Sequence, residues 1–345
     1  MVDLNLQFAR VIYTKAGHHF TDHYRTLAHN ASENLKPELR WKNMAHKSWV
    51  SGRQKLREIE LESIVLLDQE RYNLFYAIKW SHQNTEWKLV CLLVDDLATY
   101  FNTRSYWLEW VHFAELAVAD SDLAGDLKLK TIALNNLAVV YRQLDRLTES
   151  IHCCQESVMF CKQLDDRYGE GLSLGNLGGT YFAQRNYQAA FESYTNALHF
   201  FQKSGELYEQ AQCLIGIGIV LARQQKLDEA SSYLKSGIKI QRKIADRFGE
   251  AQALNNLGVV QKMQNKINEA IDSFQNSLRL KQEVGDQQGI ANSLTNLAIA
   301  YENSGELMLA IESWEKTITL LREINPSDVE QTIRRLARTR AKVKP

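Results

Sequence analysis

A three-residue pattern recurs every 40 residues through most of the chain, and this repeat restricts the fold more than any other feature. An Asn or Gly is followed by Leu or Ile and then by a small residue, at Asn136-Leu137-Ala138, Asn176-Leu177-Gly178, Gly216-Ile217-Gly218, Asn256-Leu257-Gly258 and Asn296-Leu297-Ala298. A fixed period of roughly 20–50 residues is typical of proteins that stack one small unit on the next. One period earlier, Asp96-Leu97-Ala98 fits the same register. We therefore predict six units between residues 91 and 330.

Each unit has the pattern of two amphipathic helices joined by a polar turn. In the first helix, apolar side chains such as Leu254 and Leu257 recur at helical spacing beside a small residue, Gly258. Glycine inside a helix costs about 1 kcal/mol relative to alanine, so we expect another helix to pass close to it. The second helix repeats a small residue and, four positions later, a larger one, as in Ala270 and Phe274.

This pattern resembles the tetratricopeptide repeat, whose first helix carries Leu-Gly and Tyr and whose second carries Ala and an aromatic residue. The period of 40 exceeds the usual value of about 34, and the proline that usually ends the second helix is replaced. Its positions hold Lys162, Gln202, Arg242, Gln282 and Arg322. This longer variety is similar to that of kinesin light chains, spindle-orientation adaptors and bacterial peptide-sensing regulators. The resemblance implies an all-α fold, a right-handed α–α superhelix with the first helices on its concave side.

The two ends of the chain do not follow the period. Residues 1–90 predict helices over Leu4–Lys15, Phe20–Leu35, from Pro37 onward and over Asp68–Trp80, and they resemble the arm region of signalling ATPases. No GxxxxGK[ST] phosphate-binding loop accompanies them. Residues 331–345 hold six basic and no acidic side chains and predict a basic capping helix and tail. Its buried stripe is expected to be Val329, Ile333 and Leu336, with the basic side chains either facing water or contacting an acidic partner.

Composition excludes several functional classes. The formal net charge is zero, which argues against a general nucleic-acid binder. The sequence contains no run of 18 apolar residues, the length that a membrane-spanning helix needs. The first residues lack the pattern of a secretory signal. The five cysteines form no CxxC pair, which favours reduced thiols in a cytoplasmic protein.

Residues with catalytic or metal-binding patterns are few. No HExxH, GxSxG or GxGxxG motif occurs. His19 and His23 lie one helical turn apart, beside His18, which is a spacing that can bind zinc, but only Asp22 or His29 offers a third ligand. We therefore predict no enzyme activity, no cofactor and no metal, with a zinc enzyme as the least favoured alternative.

Partner binding is instead predicted on the first helices. In proteins that this chain resembles, asparagines on that face bind the backbone or terminal carboxylate of a peptide, and an amide can both donate and accept hydrogen bonds. The asparagines of the repeat and their neighbours are Asn135, Asn136, Asn176, Asn255, Asn256 and Asn296. Charged or polar candidates nearby are Arg142, Arg223, Lys262 and Asn303. An alternative is that the asparagines only bridge adjacent helices.

The favoured function is a scaffold or adaptor that binds a segment of another protein in the groove. The alternative function is a regulator that senses a small ligand or peptide, as a sensor arm detached from a signalling ATPase. Neither alternative involves nucleic acid or insertion into a membrane.

Overall fold

A computed structural model describes the backbone of residues 2–35 and 49–343 and the side chains of residues 17–35 and 62–343. In these ranges the chain forms 15 α-helices, one 3-10 helix and no strand. The predicted all-α fold class is confirmed.

Two long helices precede the repeats, α1 (Val2–Leu35) and α2 (Trp49–Gln83). The predicted break between Lys15 and Phe20 is wrong, because α1 continues through it. Gly17 lies there, and its backbone faces the Trp80 ring of α2 at a distance that leaves no room for a Cβ atom. This glycine permits a close helix contact and does not end the helix. Pro37, where the sequence predicts the start of a further helix, lies outside the described residues.

Twelve helices of 17 or 18 residues follow as six pairs. The first helices of the pairs are α3 (Trp87–Arg104), α5 (Leu127–Gln143), α7 (Arg167–Ala183), α9 (Leu207–Arg223), α11 (Arg247–Met263) and α13 (Gln287–Ser304). The second helices are α4 (Trp107–Ala124), α6 (Leu147–Gln163), α8 (Tyr187–Ser204), α10 (Leu227–Lys243), α12 (Ile267–Val284) and α14 (Leu307–Ile324). A 3-10 helix (Pro326–Asp328) and α15 (Val329–Val343) end the described chain.

An aspartate and a glycine three residues apart begin several of the first helices. The carboxylate of Asp246 accepts a hydrogen bond from the backbone N–H of Gly249 at 2.9 Å, and Asp286 caps Gly289 in the same way at 2.8 Å. Such a cap satisfies one of the free N–H groups at the start of a helix. A Cβ atom at Gly249 would meet the side chain of Asp246. These aspartates and glycines between the repeats therefore act as helix starts.

In three of the helix pairs, a glycine of the first helix packs against a large residue of the second helix. A Cβ atom at Gly258 would lie 2.6 Å from the Phe274 ring, and one at Gly218 would lie 2.7 Å from Leu234. Contacts this short are incompatible with a side chain, so only glycine lets the helices approach so closely. The predicted close crossing of the paired helices is confirmed.

The chain divides into two compact units, an N-terminal unit (Met1–Phe200) and a C-terminal unit (Phe201–Pro345). Within each unit, the first helices of successive pairs contact one another more closely than the second helices do. We call the surface that these helices form the first-helix surface of that unit. The domain boundaries predicted near residues 90 and 330 stay a prediction.

The last helix, α15, packs on α14 of the C-terminal unit. Leu336 is buried against Ala298, Trp314 and Ile318, as predicted. The rest of the predicted stripe is only partly right, because Ile333 is 43% exposed while the threonines on either side of Leu336 are buried. Threonine tolerates burial in a helix because its hydroxyl can donate to a backbone carbonyl one turn back, as Thr339 does to Arg335.

Candidate partner-binding surface

The six candidate asparagines are half-buried on the first helices of the two units. In the N-terminal unit, each pairs with the preceding or following helix pair. Asn136 Nδ2 donates to Asp95 Oδ1 at 3.0 Å, and Asn176 Nδ2 donates to Asn135 Oδ1 at 3.2 Å. These bonds join residues 41 positions apart. The asparagines therefore bridge adjacent first helices, which is the alternative that the sequence left open.

Asn135 also reaches the interior. Its Nδ2 lies 3.2 Å from Ser157 Oγ and 3.0 Å from Ser173 Oγ. One side chain thus joins the exposed first-helix surface to the buried contact between the second and third helix pairs. Replacing it would disturb both.

The C-terminal unit repeats this bridge once. Asn296 Nδ2 donates to Asn255 Oδ1 at 3.0 Å. The residue 41 positions before Asn256 is Ile215, which offers no amide. Within the described part of the chain, the Asn256 side chain has no hydrogen-bond partner, so its donors and acceptor remain open to a partner molecule.

The four other candidates are placed differently from one another. Arg142 is half-buried, and its Nη1 donates to the backbone carbonyl of Asn176 at 3.3 Å, which makes it a second bridge between helix pairs. Arg223 and Asn303 are exposed. Lys262 is half-buried, and burial together with the nearby charge of Arg335 lowers the pKa of its ammonium group.

A sequence model of the family described as Tetratricopeptide repeat matches residues 130–203, 209–283 and 249–323, which together exceed half of the chain. The chain belongs to the tetratricopeptide repeat family. Its fold is the all-α superhelix of these repeats. The predicted family and fold are both confirmed.

Curated relatives match only part of this tetratricopeptide repeat chain. The 43 kDa receptor-associated protein of the synapse from Tetronarce californica is 30% identical over 95 residues, which are 26% of this chain and 23% of that protein. The protein of the same name from Gallus gallus matches to the same extent. The chain thus spans about a quarter of the length of these relatives.

Several solved structures share the fold over much longer stretches. A Rap protein complexed with competence and sporulation factor has a TM-score of 0.56 at 14% identity, over 95% of this chain and 98% of that chain. A STAND protein with a tetratricopeptide repeat sensor, from Pyrococcus horikoshii, has a TM-score of 0.57 at 12% identity. The match covers 83% of this chain and 52% of that chain. BtubC from P. vanneervenii has a TM-score of 0.55 at 15% identity, and the match covers 64% of this chain and 90% of that chain.

The histidines occupy structural positions in this tetratricopeptide repeat protein. His18 packs edge-on against Trp80, and His29 Nδ1 lies 2.9 Å from Asp96 Oδ1. In the part of the chain that the structure describes, no three His, Cys, Asp or Glu side chains come together as a metal site. Among the side chains that the structure describes, the histidine cluster thus has no third ligand for a metal.

The cysteine thiols are buried, and the described helices are too polar to span a membrane. All five cysteines are free and buried. Burial raises the pKa of the Cys91 and Cys213 thiols to about 12, which keeps them protonated and unreactive. No helix in the described ranges has an apolar stretch long enough to cross a bilayer.

One charged residue near this surface differs from the sequence-based prediction. Arg335 was expected to face water, but it is half-buried, and its guanidinium lies 5.7 Å from the centre of the Trp314 ring. The sequence indicated only that a basic helix follows the repeats. The contact with Trp314 depends on the orientation of α15 about its axis, in which Thr332 and Thr339 are buried beside Leu336.

Proposed function

We propose that this chain is a non-enzymatic cytoplasmic scaffold that binds an extended segment of another protein on its first-helix surfaces. The observation that carries the proposal is the open amide of Asn256, which lies half-buried among asparagines that bridge their neighbours. An uncharged amide loses less hydration energy on binding than a charged group does. It also pairs with a peptide unit in either direction.

The spacing of the repeats suits an extended segment. Packed helices lie about 8–10 Å apart, and an extended chain advances about 3.3 Å per residue. Successive first helices would therefore meet the segment about once every three residues. Asn136, Asn176 and Asn296 each donate one N–H in these bridges, so each retains its other N–H and its carbonyl oxygen for such contacts.

The relatives give independent support. The tetratricopeptide repeat family and the structure of a Rap protein complexed with competence and sporulation factor are consistent with a protein or peptide partner. The buried free cysteines suit a reducing cytoplasm, where disulfides are rare.

The test begins with a pull-down from native extract, followed by isothermal titration of the recovered partner against Asn256→Ala. We expect at least a tenfold loss of affinity, equal to about 1.4 kcal/mol, with helicity unchanged in circular dichroism. Asn268→Ala is the matched control, since Asn268 is exposed on the second helix of the same pair. Equal affinities for the two variants would reject binding at this surface.

A second function is favoured by the length of the Rap likeness, which covers 95% of this chain and so includes the helices before the repeats. In this alternative the chain is a regulator whose shape changes when a small ligand or peptide binds. Small-angle scattering would then show compaction on addition of the extract fraction below about 3 kDa, and the Asn256→Ala variant would lose it. If no extract fraction compacts the protein, this alternative is wrong.

A further inference from the structure

An open pocket lies between α10 and α11 in the C-terminal unit, and we call it the α10–α11 pocket. Its volume is about 250 Å³. It has an apolar wall, formed by Ile238, Leu254 and Leu257, and a cationic rim, formed by Lys235, Lys239 and Arg242. An apolar cavity of about 150 Å³ can hold benzene. The pocket therefore has room for an aromatic group somewhat larger than benzene.

A tyrosine reaches across the corresponding place at the other boundaries between helix pairs inside the two units. It lies on the first helix of a pair, 26 positions after its hydrogen-bond partner on the preceding second helix. The bonded side chains are Glu115 with Tyr141 at 2.8 Å, Gln155 with Tyr181 at 3.4 Å, and Gln275 with Tyr301 at 2.8 Å. An aromatic ring thus belongs to the packing of these three boundaries.

The boundary between α10 and α11 lacks this tyrosine. The two positions hold Lys235 and Gln261. The Gln261 side chain is directed towards α12, where its Oε1 accepts from Ser273 Oγ at 2.6 Å and its Nε2 donates to Glu269 Oε2 at 3.3 Å. The chain therefore supplies no ring beside Lys235, and the pocket opens at that position.

Two of the three cations on the rim have no acidic partner. Lys235 and Lys239 are exposed and lie one helical turn apart, and neither forms an ion pair with a carboxylate within the described part of the chain. Like charges at this spacing repel each other. Arg242, by contrast, donates from Nε to Glu250 Oε1 at 2.6 Å. An anion is therefore favoured at the end of the pocket that holds the two lysines.

The repeat itself does not require these cations. The corresponding residues are Glu115, Ala119 and Asp122 on α4, Gln155, Met159 and Lys162 on α6, and Gln275, Arg279 and Gln282 on α12. These helices pack on the next pair with one cation or none at the three positions. Three cations and a missing tyrosine occur together only between α10 and α11 among these four boundaries.

We propose that the α10–α11 pocket binds a small free molecule that has an aromatic ring and a carboxylate. The ring packs against Ile238, Leu254 and Leu257, and it replaces the tyrosine of the other boundaries. The carboxylate accepts charge-assisted hydrogen bonds from the ammonium groups of Lys235 and Lys239. The hydrocarbon stems of the lysines can lie along the apolar wall while their charged ends reach the ligand.

This site goes beyond the proposed function and does not depend on it. The pocket lies between a second helix and the first helix of the next pair, and its ligand is a free molecule and not a segment of a protein. The purified chain and a defined probe suffice to test it. A failure here leaves the binding of a partner segment at Asn256 untouched, and a failure there leaves this site untouched.

The first test compares three probes by isothermal titration of the full chain at low ionic strength. Naphthalene-2-carboxylate should bind. Naphthalene-2-carboxamide has the same rings without the charge and should bind about tenfold more weakly, and acetate, which has the charge without a ring, should give no measurable heat. Equal binding of the acid and the amide, or equal binding of acetate, would overturn the proposal.

The decisive variant restores the tyrosine and keeps every cation. Gln261→Tyr should weaken binding of naphthalene-2-carboxylate at least tenfold, because the new ring would take the place of the ligand. The corresponding Tyr301 is buried at its own boundary, so the fold accepts a tyrosine at this position of the repeat. Circular dichroism checks that helicity is kept. Unchanged affinity in a folded Gln261→Tyr variant would overturn the proposal.

Exposed lysines supply a second test that does not touch the core. Lys235→Gln and Lys239→Gln should each weaken binding about threefold to fivefold, as expected for an ion pair in contact with solvent. Lys243→Gln is the matched control, since Lys243 is an exposed lysine of the same helix outside the pocket, and it should leave the affinity unchanged. Equal losses for all three variants would indicate general attraction to α10 and would overturn the site.

Discussion

Two boundaries between helix pairs occupy the same place in the repeat but bury different chemical groups. In the N-terminal unit, Ser157 and Ser173 face each other across α6 and α7 at 2.8 Å, beside the thiol of Cys161. In the C-terminal unit, Ser277 and Ser293 face each other across α12 and α13 at 3.2 Å, beside the ammonium group of Lys281. We call these places the Cys161 boundary and the Lys281 boundary.

The difference shows how a periodic backbone tolerates a charge in its interior. Lys281 is only 4% exposed, and its Nζ donates to Ser293 Oγ at 3.0 Å and to the carbonyl of Gly289 at 3.1 Å. Burial lowers its pKa, and Asp286 partly opposes that shift. A buried cation is tolerated when nearby oxygens accept its hydrogen bonds. The repeat thus fixes where a side chain lies, while the local acceptors decide which chemical group can be there.

The largest expected difference comes from removing one serine at each boundary. Ser293→Ala takes away an acceptor of a buried ammonium group, and hydrogen bonds to charged groups contribute about 1.5–3 kcal/mol. Ser173→Ala removes a neutral hydroxyl, whose bonds contribute about 0.5–1.5 kcal/mol. Asn135 and Ser157 also remain paired with each other without Ser173. We therefore expect urea unfolding to show a loss of about 2–3 kcal/mol for Ser293→Ala and about 1 kcal/mol for Ser173→Ala.

A control isolates the role of the charge. In a Lys281→Met background the Ser293→Ala substitution should cost no more than Ser173→Ala does in the natural chain, because no cation then depends on the serine. If Ser293→Ala costs the same with and without Lys281, the charged hydrogen bond contributes nothing to stability, and the contrast between the two boundaries is wrong.

The sequence predicted the repeat positions well but not the groups that distinguish one boundary from another. The 40-residue period predicted the helix pairs and the close contact of Gly258 with the second helix, because both follow from backbone geometry. It did not predict the hydrogen bonds of Lys281, since the position 120 residues earlier holds a cysteine. The hydrogen-bond partners of a buried polar group come from a second helix, so the sequence pattern of one helix does not predict them.

The sequence predicted that the candidate asparagines lie on the first helices, but it did not predict their hydrogen bonds. Asparagines at the repeat positions lie on the first helices, yet the side chains of Asn136, Asn176 and Asn296 bridge to the preceding pair. A residue type that suits peptide binding also suits bridging, so the sequence left both alternatives open. The Asn256 amide is open because the facing residue of the preceding helix pair is Ile215, which cannot form a hydrogen bond with its side chain. Which residues face each other becomes clear only when the two helix pairs are stacked.

A smaller difference is expected between the two asparagines nearest to these boundaries. Asn135 bonds both serines of the Cys161 boundary and accepts from Asn176, whereas Asn255 accepts from Asn296. Asn135→Ala should therefore cost about 1–1.5 kcal/mol, and Asn255→Ala about 0.5 kcal/mol, given the usual worth of a neutral hydrogen bond. Thermal unfolding of the two variants measures the order, and a larger loss for Asn255→Ala would contradict it.

The smallest expected difference is a dependence of stability on pH, in which the two boundaries should change in opposite directions. The pKa of Lys281 in the folded protein lies below its unfolded value of about 10.4. Between these two pKa values the unfolded chain binds a proton that the folded protein has released, so the free energy of unfolding rises with pH there. The natural chain should therefore gain stability relative to Lys281→Met as the pH rises from neutral toward 10. Urea unfolding of both proteins across that range measures the difference. Cys161→Ala should show the opposite change: burial raises the pKa of the Cys161 thiol, so the unfolded thiol ionises first and the natural chain should lose stability relative to this variant as the pH rises. A constant difference between the natural chain and Lys281→Met would mean that the buried ammonium group carries no free-energy cost.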